Sequence, residues 1–326
     1  MSQVDRMRGR YAPSPTGRMH LGNARTALLA WLAARAGEGA FVLRIEDLDR
    51  ARVVPGGEAD LLTDLAWLGI DWDEGPDRGG ARAPYRQSER TVRYDAAVDQ
   101  LQIVGRAFPC ACSRGEIARA ASAPHDEDEE GPRYPGTCRD LPAGEVEARA
   151  RALGRAVAIR FAGRGERVGF VDRVRGPVEP LGAEGIDDFV LRRADGVAAY
   201  QLAVVVDDAA MGITEVVRGD DLLRSTPRQL ALGAALGLAA PAFAHVPLLL
   251  APGGERLAKR TRPASIDALR SRGVDPRVVV GRLAASAGLC GPGEVLSPGQ
   301  LLQRLGRPFP WGRLHTAPVV WTFQES

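Results

Sequence analysis

Apolar and polar positions along this chain fall into blocks whose period changes, and the changes locate its elements. Residues 9–12 read as a short strand that breaks at Pro13 and Pro15, because proline has no amide hydrogen to give a ladder. Residues 21–35, LGNARTALLAWLAAR, place apolar side chains at helical spacing among good helix formers. The proline- and glycine-bearing loop between them therefore feeds a helix N-terminus. Residues 41–45, FVLRI, read as a buried strand that ends at the acidic cluster Glu46, Asp47 and Asp49. Strand, glycine-bearing loop, helix, strand opens a doubly wound parallel sheet, an α/β fold whose ligands collect at the carboxyl ends of the strands.

Residues 57–68 and 88–105 read as helices. From about residue 108 to 195 the character changes, with cysteines, an acidic run at 125–130 and strand-like pieces at 156–161 and 167–174. The acidic run reads as a solvated loop. VAAYQLAVVV at 197–206 then reads as a strand ending at Asp207 and Asp208. A second strand covers 214–217, a helix covers 226–236, and 246–251 is strand-like. The expected organisation is the first half of a sheet domain at 1–108, an inserted subdomain at 109–195, the second half at 196–263 and a short helical region at 264–326.

At 326 residues the chain is long enough to bury a sizeable core. No apolar run is long enough to span a bilayer, and the polar first ten residues lack the hydrophobic centre of a secretory signal, so the expected compartment is the cytoplasm. A net charge of +2 does not mark a nucleic-acid binder by composition, so any RNA contact must be local. Every basic residue is arginine except Lys259, and Asn23 is the only asparagine. Where arginine meets every generic need for positive charge, a retained lysine points to a site shaped for a compact ammonium.

Three clusters carry candidate chemistry. The Ser14-Pro15-Thr16 turn, Gly17 and Gly22 leave helix-start amides open to an anion, and His20 beside them offers ring hydrogens to phosphate oxygens. After the turn Pro252-Gly253-Gly254, the stretch ERLAKR puts Lys259 on a loop able to close over a polyphosphate. Cys110 and Cys112 form a CxC pair that Cys138 joins, and clustered thiolates in a cytoplasmic chain favour zinc. Three sulfurs need a fourth ligand, and generic zinc chemistry nominates His125. Cys290 stands apart as a core residue.

PSPTG followed by His20-Leu21-Gly22-Asn23 resembles the HIGH signature of class I aminoacyl-tRNA synthetases, and RLAKR resembles their KMSKS loop. RYAPSPTG, RIED at 44–47, YQLAVVVDD at 200–208 and VVRGDDLL at 216–223 resemble the glutamyl branch. The chain departs from the strict pattern at Asn23, Arg256, Ala258 and Arg260. The resemblance implies a Rossmann-type catalytic domain with an inserted, zinc-bearing, acceptor-binding-like subdomain. It implies that Arg10, Tyr11, Ala12, Pro13 and Ser14 line an amino-acid pocket, that Glu46 accepts the substrate ammonium, and that Tyr200 and Arg218 complete the cavity. His20, Gly22, Asn23 and Lys259 would bind ATP, His20 and Lys259 as catalytic residues, with Mg2+ accompanying the nucleotide. Because a guanidinium grips both oxygens of a carboxylate in one plane, Arg218 suits glutamate over glutamine.

The same resemblance nominates Tyr134 as the fourth ligand of one structural zinc, tied to Cys138 by a tight turn. Past Lys259 the chain runs only to Ser326, too short a stretch for a helical anticodon reader. In this it resembles the glutamyl-Q tRNA(Asp) synthetase family, whose members activate glutamate without tRNA and transfer it to the queuosine base of tRNA(Asp). The expected partners are L-glutamate, ATP and queuosine-containing tRNA(Asp), with no membrane and a monomeric chain. Two other readings stay open: a truncated synthetase charging the 3' end of tRNA(Glu), and a non-catalytic paralogue that binds RNA or glutamate.

Overall fold

In the computed structural model, which describes residues 7–120, 133–180, 185–255 and 265–321, the opening strand is β1 (Arg8–Tyr11), followed by helix α1 (Leu21–Ala36) and strand β2 (Ala40–Leu43). β1 and β2 pair in parallel. α1 buries residues around its whole circumference, among them Leu21, Leu28, Leu29 and Leu32, because the sheet covers one side and C-terminal helices the other. Its almost unbroken apolar sequence follows from that double cover. Gly9 permits the close approach, since a Cβ there would stand 3.0 Å from the Ala34 Cβ.

The chain continues through α2 (Gly57–Trp67), α3 (Thr91–Ile103), β3 (Ala107–Cys110), α4 (Arg114–Ala120), α5 (Ala143–Ala152), β4 (Ala158–Phe161), β5 (Phe170–Asp172), β6 (Gly176–Val178) and β7 (Val190–Arg192). Then come α6 (Tyr200–Ala210), β8 (Glu215–Gly219), α7 (Thr226–Ala235), β9 (Ala242–Val246), β10 (Leu249–Leu250), α8 (Ile266–Ser271), α9 (Pro276–Ser286), α10 (Pro298–Leu305) and β11 (Val319–Val320). The main sheet has the order β2-β1-β8-β9-β5-β6. Its first five strands are parallel and β6 closes the edge as an antiparallel hairpin with β5. From β1 the chain winds first to β2 on one side and later to β8 on the other. The carboxyl ends of β1 and β8 therefore flank the crevice where such sheets bind ligands.

Three expectations change. The stretch at 197–206, read as a strand, forms most of α6. Asp207 and Asp208 both turn inward, which consecutive strand residues cannot do because their side chains alternate between faces, whereas a helix can. The segment 109–195, expected to be one inserted unit, splits: β3, β4 and β7 form a separate antiparallel sheet, while β5 and β6 lie in the main sheet. The strand expected at 246–251 is interrupted: β9 ends at Val246 because Pro247 cannot continue the ladder, and the short strand β10 takes up Leu249–Leu250. His125 and the loop residues Arg256, Ala258, Lys259 and Arg260 lie outside the described residues. Among the described residues no helix is long and apolar enough to cross a membrane.

α6 is held by charge as well as by packing. Asp207, fully buried, accepts from Arg90 Nε at 2.5 Å, Tyr94 Oη at 2.8 Å and Gln87 Nε2 at 2.9 Å. Replacing it strands a buried guanidinium. Asp207→Ala should lower unfolding free energy by about 3–5 kcal/mol in denaturant titrations; a loss below about 1 kcal/mol would mean that apolar packing alone fixes α6.

Candidate active site

The proline loop works because prolines still offer carbonyls. Pro13 O accepts from Glu46 N at 2.9 Å and Pro15 O from Val54 N at 3.0 Å, which lashes the turn after β1 to the chain after β2. Opposite it, β8 ends at Arg218 and Gly219. Between them opens a cavity of about 850 Å³. Arg10, Tyr11, Ala12, Pro13, Ser14, Glu46, Tyr200 and Arg218 all line it, as do His20, Gly22 and Asn23. The residues that the resemblance assigns to the amino-acid and ATP pockets therefore lie on one cavity, apart from Lys259, which is outside the described residues; Pro15 and Gly17 of the turn do not line it.

At one end of the cavity stands the N-terminus of α1. His20 is its N-cap, with Nδ1 accepting from Asn23 N at 3.3 Å, so the neutral ring carries its hydrogen on Nε2. A Cβ at Gly22 would come within 3.0 Å of His20 Nδ1, so the glycine makes room for the capping ring. The first turn carries no acidic side chain of its own to offset the helix's positive end, which faces the cavity. His20 also forms an antiparallel bridge with Ser265, and Ile266 N donates to Met19 O at 2.9 Å. The chain that follows the lysine-bearing loop thus returns against the helix cap.

At the other end, buried charges are arranged in layers. Arg44, with no exposed surface, donates to Asp208 Oδ1 at 2.5 Å and to Glu46 Oε1 at 3.3 Å. Arg10 Nη1 donates to Val217 O at 3.2 Å while its Nε stands 3.5 Å from Asp208. Burial works against ionisation of both carboxylates, with opposite outcomes. At Asp208 it is overcome by Arg44 and Arg10, which hold the carboxyl below its ordinary range. At Glu46 burial prevails over Arg44 and Arg10 and raises the carboxyl. Asp208 is a structural anion, whereas Glu46 stands to gain from a further cation. Arg218 differs from Arg10, Arg44 and Arg90 in having neutral direct partners, His245 Nε2 at 3.0 Å and Thr226 Oγ1 at 2.8 Å. Burial pushes its guanidinium below the ordinary value.

In the inserted sheet, the sulfurs of Cys110, Cys112 and Cys138 lie within 4.8 Å of one another. The Tyr134 hydroxyl joins them, 3.5 Å from Cys110 Sγ and 3.8 Å from Cys112 Sγ, and Cys138 N donates to it at 2.8 Å. Donors on a tetrahedron around zinc with bonds near 2.3 Å stand about 3.7 Å apart, so the spacing fits the ion. Burial and the neighbouring Cys110 push the Cys112 thiol up to about 11, so its ionisation at neutral pH calls for a cation.

Residues 6–288 match the model of the class I tRNA synthetases (E and Q), catalytic domain. The chain belongs to that family. It is 54% identical over 295 residues to a glutamyl-Q tRNA(Asp) synthetase of Symbiobacterium thermophilum, covering 90% of each chain. It is 46% identical to glutamate--tRNA ligase 1 of Halorhodospira halophila, covering 95% of this chain and 64% of that one. The crystal structure of a glutamate-tRNA synthetase from Elizabethkingia anophelis superposes with a TM-score of 0.81 at 31% identity, covering 97% of this chain and 68% of that one. As a class I synthetase-type ligase, the protein carries its pocket where the family's α/β sheet changes winding direction.

Sequence reasoning missed Arg44 and Asp208, although both lie inside the quoted motifs, and it missed Thr226 and His245, the partners of Arg218, altogether. A signal existed for His245: one histidine within the otherwise apolar strand AFAHV. Tyr134→Phe should weaken zinc binding by roughly tenfold or more in chelator competition; unchanged affinity would remove the phenol from the ligand set.

Proposed function

We propose that the enzyme activates L-glutamate with ATP, without tRNA, and passes the glutamyl group to the queuosine base of tRNA(Asp). The observation that carries the first step is the cavity that unites a helix N-terminus with no acidic residue in its first turn, capped by His20, with a buried guanidinium hydrogen-bonded to His245 and Thr226. The N-terminus of α1 and His20 receive the triphosphate, and Lys259, on the chain that returns to His20 through Ser265, adds a compact ammonium. Glu46 takes the substrate ammonium, Tyr200 and the turn from Arg10 to Ser14 enclose its backbone, and Arg218 takes its side-chain carboxylate in a planar fork. An oxygen of the α-carboxylate attacks the α-phosphorus and pyrophosphate leaves, giving glutamyl-adenylate. Held in line by the helix terminus and Arg218, the reactants need little beyond positioning and charge stabilisation.

Magnesium bound with ATP would supply charge neutralisation on the phosphates. In the second step a hydroxyl of the queuosine cyclopentenediol attacks the adenylate's acyl carbon and AMP leaves. Support for this acceptor comes from the names of the relatives at 51–54% identity. Zinc on Cys110, Cys112, Tyr134 and Cys138 would hold the inserted sheet together.

Glutamate-dependent exchange of pyrophosphate into ATP, measured without tRNA, should be robust, and its absence would leave a binding protein. Labelled glutamate should then enter tRNA(Asp) only when queuosine is present; incorporation at the 3' end of queuosine-free tRNA(Glu) would select the truncated-synthetase reading. Arg218→Ala should raise the glutamate KM by roughly a hundredfold with a smaller change in kcat. Lys259→Arg should slow exchange by about tenfold or more, since a wide fork does not replace an ammonium.

A further inference from the structure

Arg218 has a second edge, turned away from the substrate, and its partners there form a chain. Nε donates to His245 Nε2 at 3.0 Å and Nη2 to Thr226 Oγ1 at 2.8 Å, while Nη1 is buried with no hydrogen-bond partner. Nε and Nη2 lie along one edge of the guanidinium, so that edge is satisfied inside the protein. On the end-on edge, beside the Tyr200 hydroxyl that also meets the guanidinium, Nη1 remains for a planar anion. His245 Nε2 accepts only when it carries no hydrogen, which places the ring hydrogen on Nδ1, 2.6 Å from Asp172 Oδ2. Asp172 is pinned in turn. Its Oδ1 accepts from Val174 N and Arg175 N, both at 2.9 Å, and its Oδ2 from His245 N at 3.0 Å. The Phe243 ring stacks on His245 at 14° and lies under the Arg218 guanidinium, which fixes both planes. Asp172, His245 and Thr226 are all buried.

We propose that Asp172, His245 and Thr226 are positioning residues for substrate selection. They lock His245 in its Nδ1–H tautomer and thereby hold Arg218 with a fixed edge of donors, which fits a side-chain carboxylate and opposes a carboxamide. The proposal rests on the glutamate reading of the cavity. It assigns to strand β5, next to the sheet's edge, a share in the discrimination between glutamate and glutamine. If the tautomer flips, Nε2–H confronts the Nε–H of Arg218 and the guanidinium keeps only Thr226 Oγ1 on its side-on edge.

Asp172→Asn tests this. Its oxygen, at the Oδ1 position, keeps the amides of Val174 and Arg175 and that of His245, which lies 3.2 Å from Oδ1, so its NH2 faces His245 Nδ1 and drives the ring hydrogen to Nε2. In pyrophosphate exchange the glutamate KM should rise by about tenfold or more, kcat should change less, and the preference for glutamate over glutamine should fall. Imidazole 15N spectra should show His245 as Nδ1–H in the wild-type protein and as Nε2–H in the variant. His245→Gln, whose oxygen can accept from Arg218 while its nitrogen donates to Asp172, should keep KM within about threefold, whereas His245→Leu should not. An Nε2–H ring in the wild type overturns the proposal, as does an unchanged KM in Asp172→Asn or equal behaviour of the Gln and Leu variants. Should the variants fail to fold, the wild-type spectrum alone still decides the tautomer. Failure of wild-type exchange with glutamate would instead overturn the glutamate reading, while the spectrum continues to report on the relay.

Discussion

The pocket rests on buried and nearly buried ion pairs. Arg44 joins the end of β2 to α6 through Asp208 and also steadies Glu46, while Arg90 at the start of α3 meets Asp207 on the same helix. Removing water from such charges is costly, and geometry this close is what recovers the cost. The arrangement restricts α6 to one setting, in which Tyr200 at its first turn faces the cavity. It also sorts the two carboxylates beside Arg44 into one that is fully matched and one that is not. A site for a zwitterion needs that asymmetry, because one carboxylate must stay committed to the scaffold while the other stays available to the ligand.

Local signals were strong where a single chain segment decides the outcome. The opening strand, loop and helix were legible because proline chemistry and helical spacing act over a few residues, and His20, Gly22 and Asn23 fall together at the helix cap for the same reason. α6 was not legible. Its run of valines favours a strand by propensity, and the opposing influence comes from Arg44 and Arg90, more than a hundred residues earlier in the chain. The end of the insertion was obscure for a related reason: three residues of β5 join the main sheet, too few to announce their partner. His245 and Asp172 are seventy-three residues apart and meet only across that pairing.

The α1 end of the cavity and its Arg218 end are built by different physics. α1 offers aligned backbone dipoles, open to any anion of the right size. Around Arg218 everything is side chain: a neutral imidazole, a hydroxyl and an aromatic face, each setting one degree of freedom of a single guanidinium. Generality at one end and selectivity at the other suit an enzyme that shares its nucleotide with many relatives but chooses its own amino acid.

The path of the chain through β5 and β6 makes the insertion inseparable from its host. A graft or deletion cut at the outer borders of the segment would remove the zinc-type cluster, but it would also extract the main-sheet strands β5 and β6, the first of which carries Asp172. Trading this lobe between relatives as a modular cassette would therefore transplant part of the host's amino-acid preference along with it.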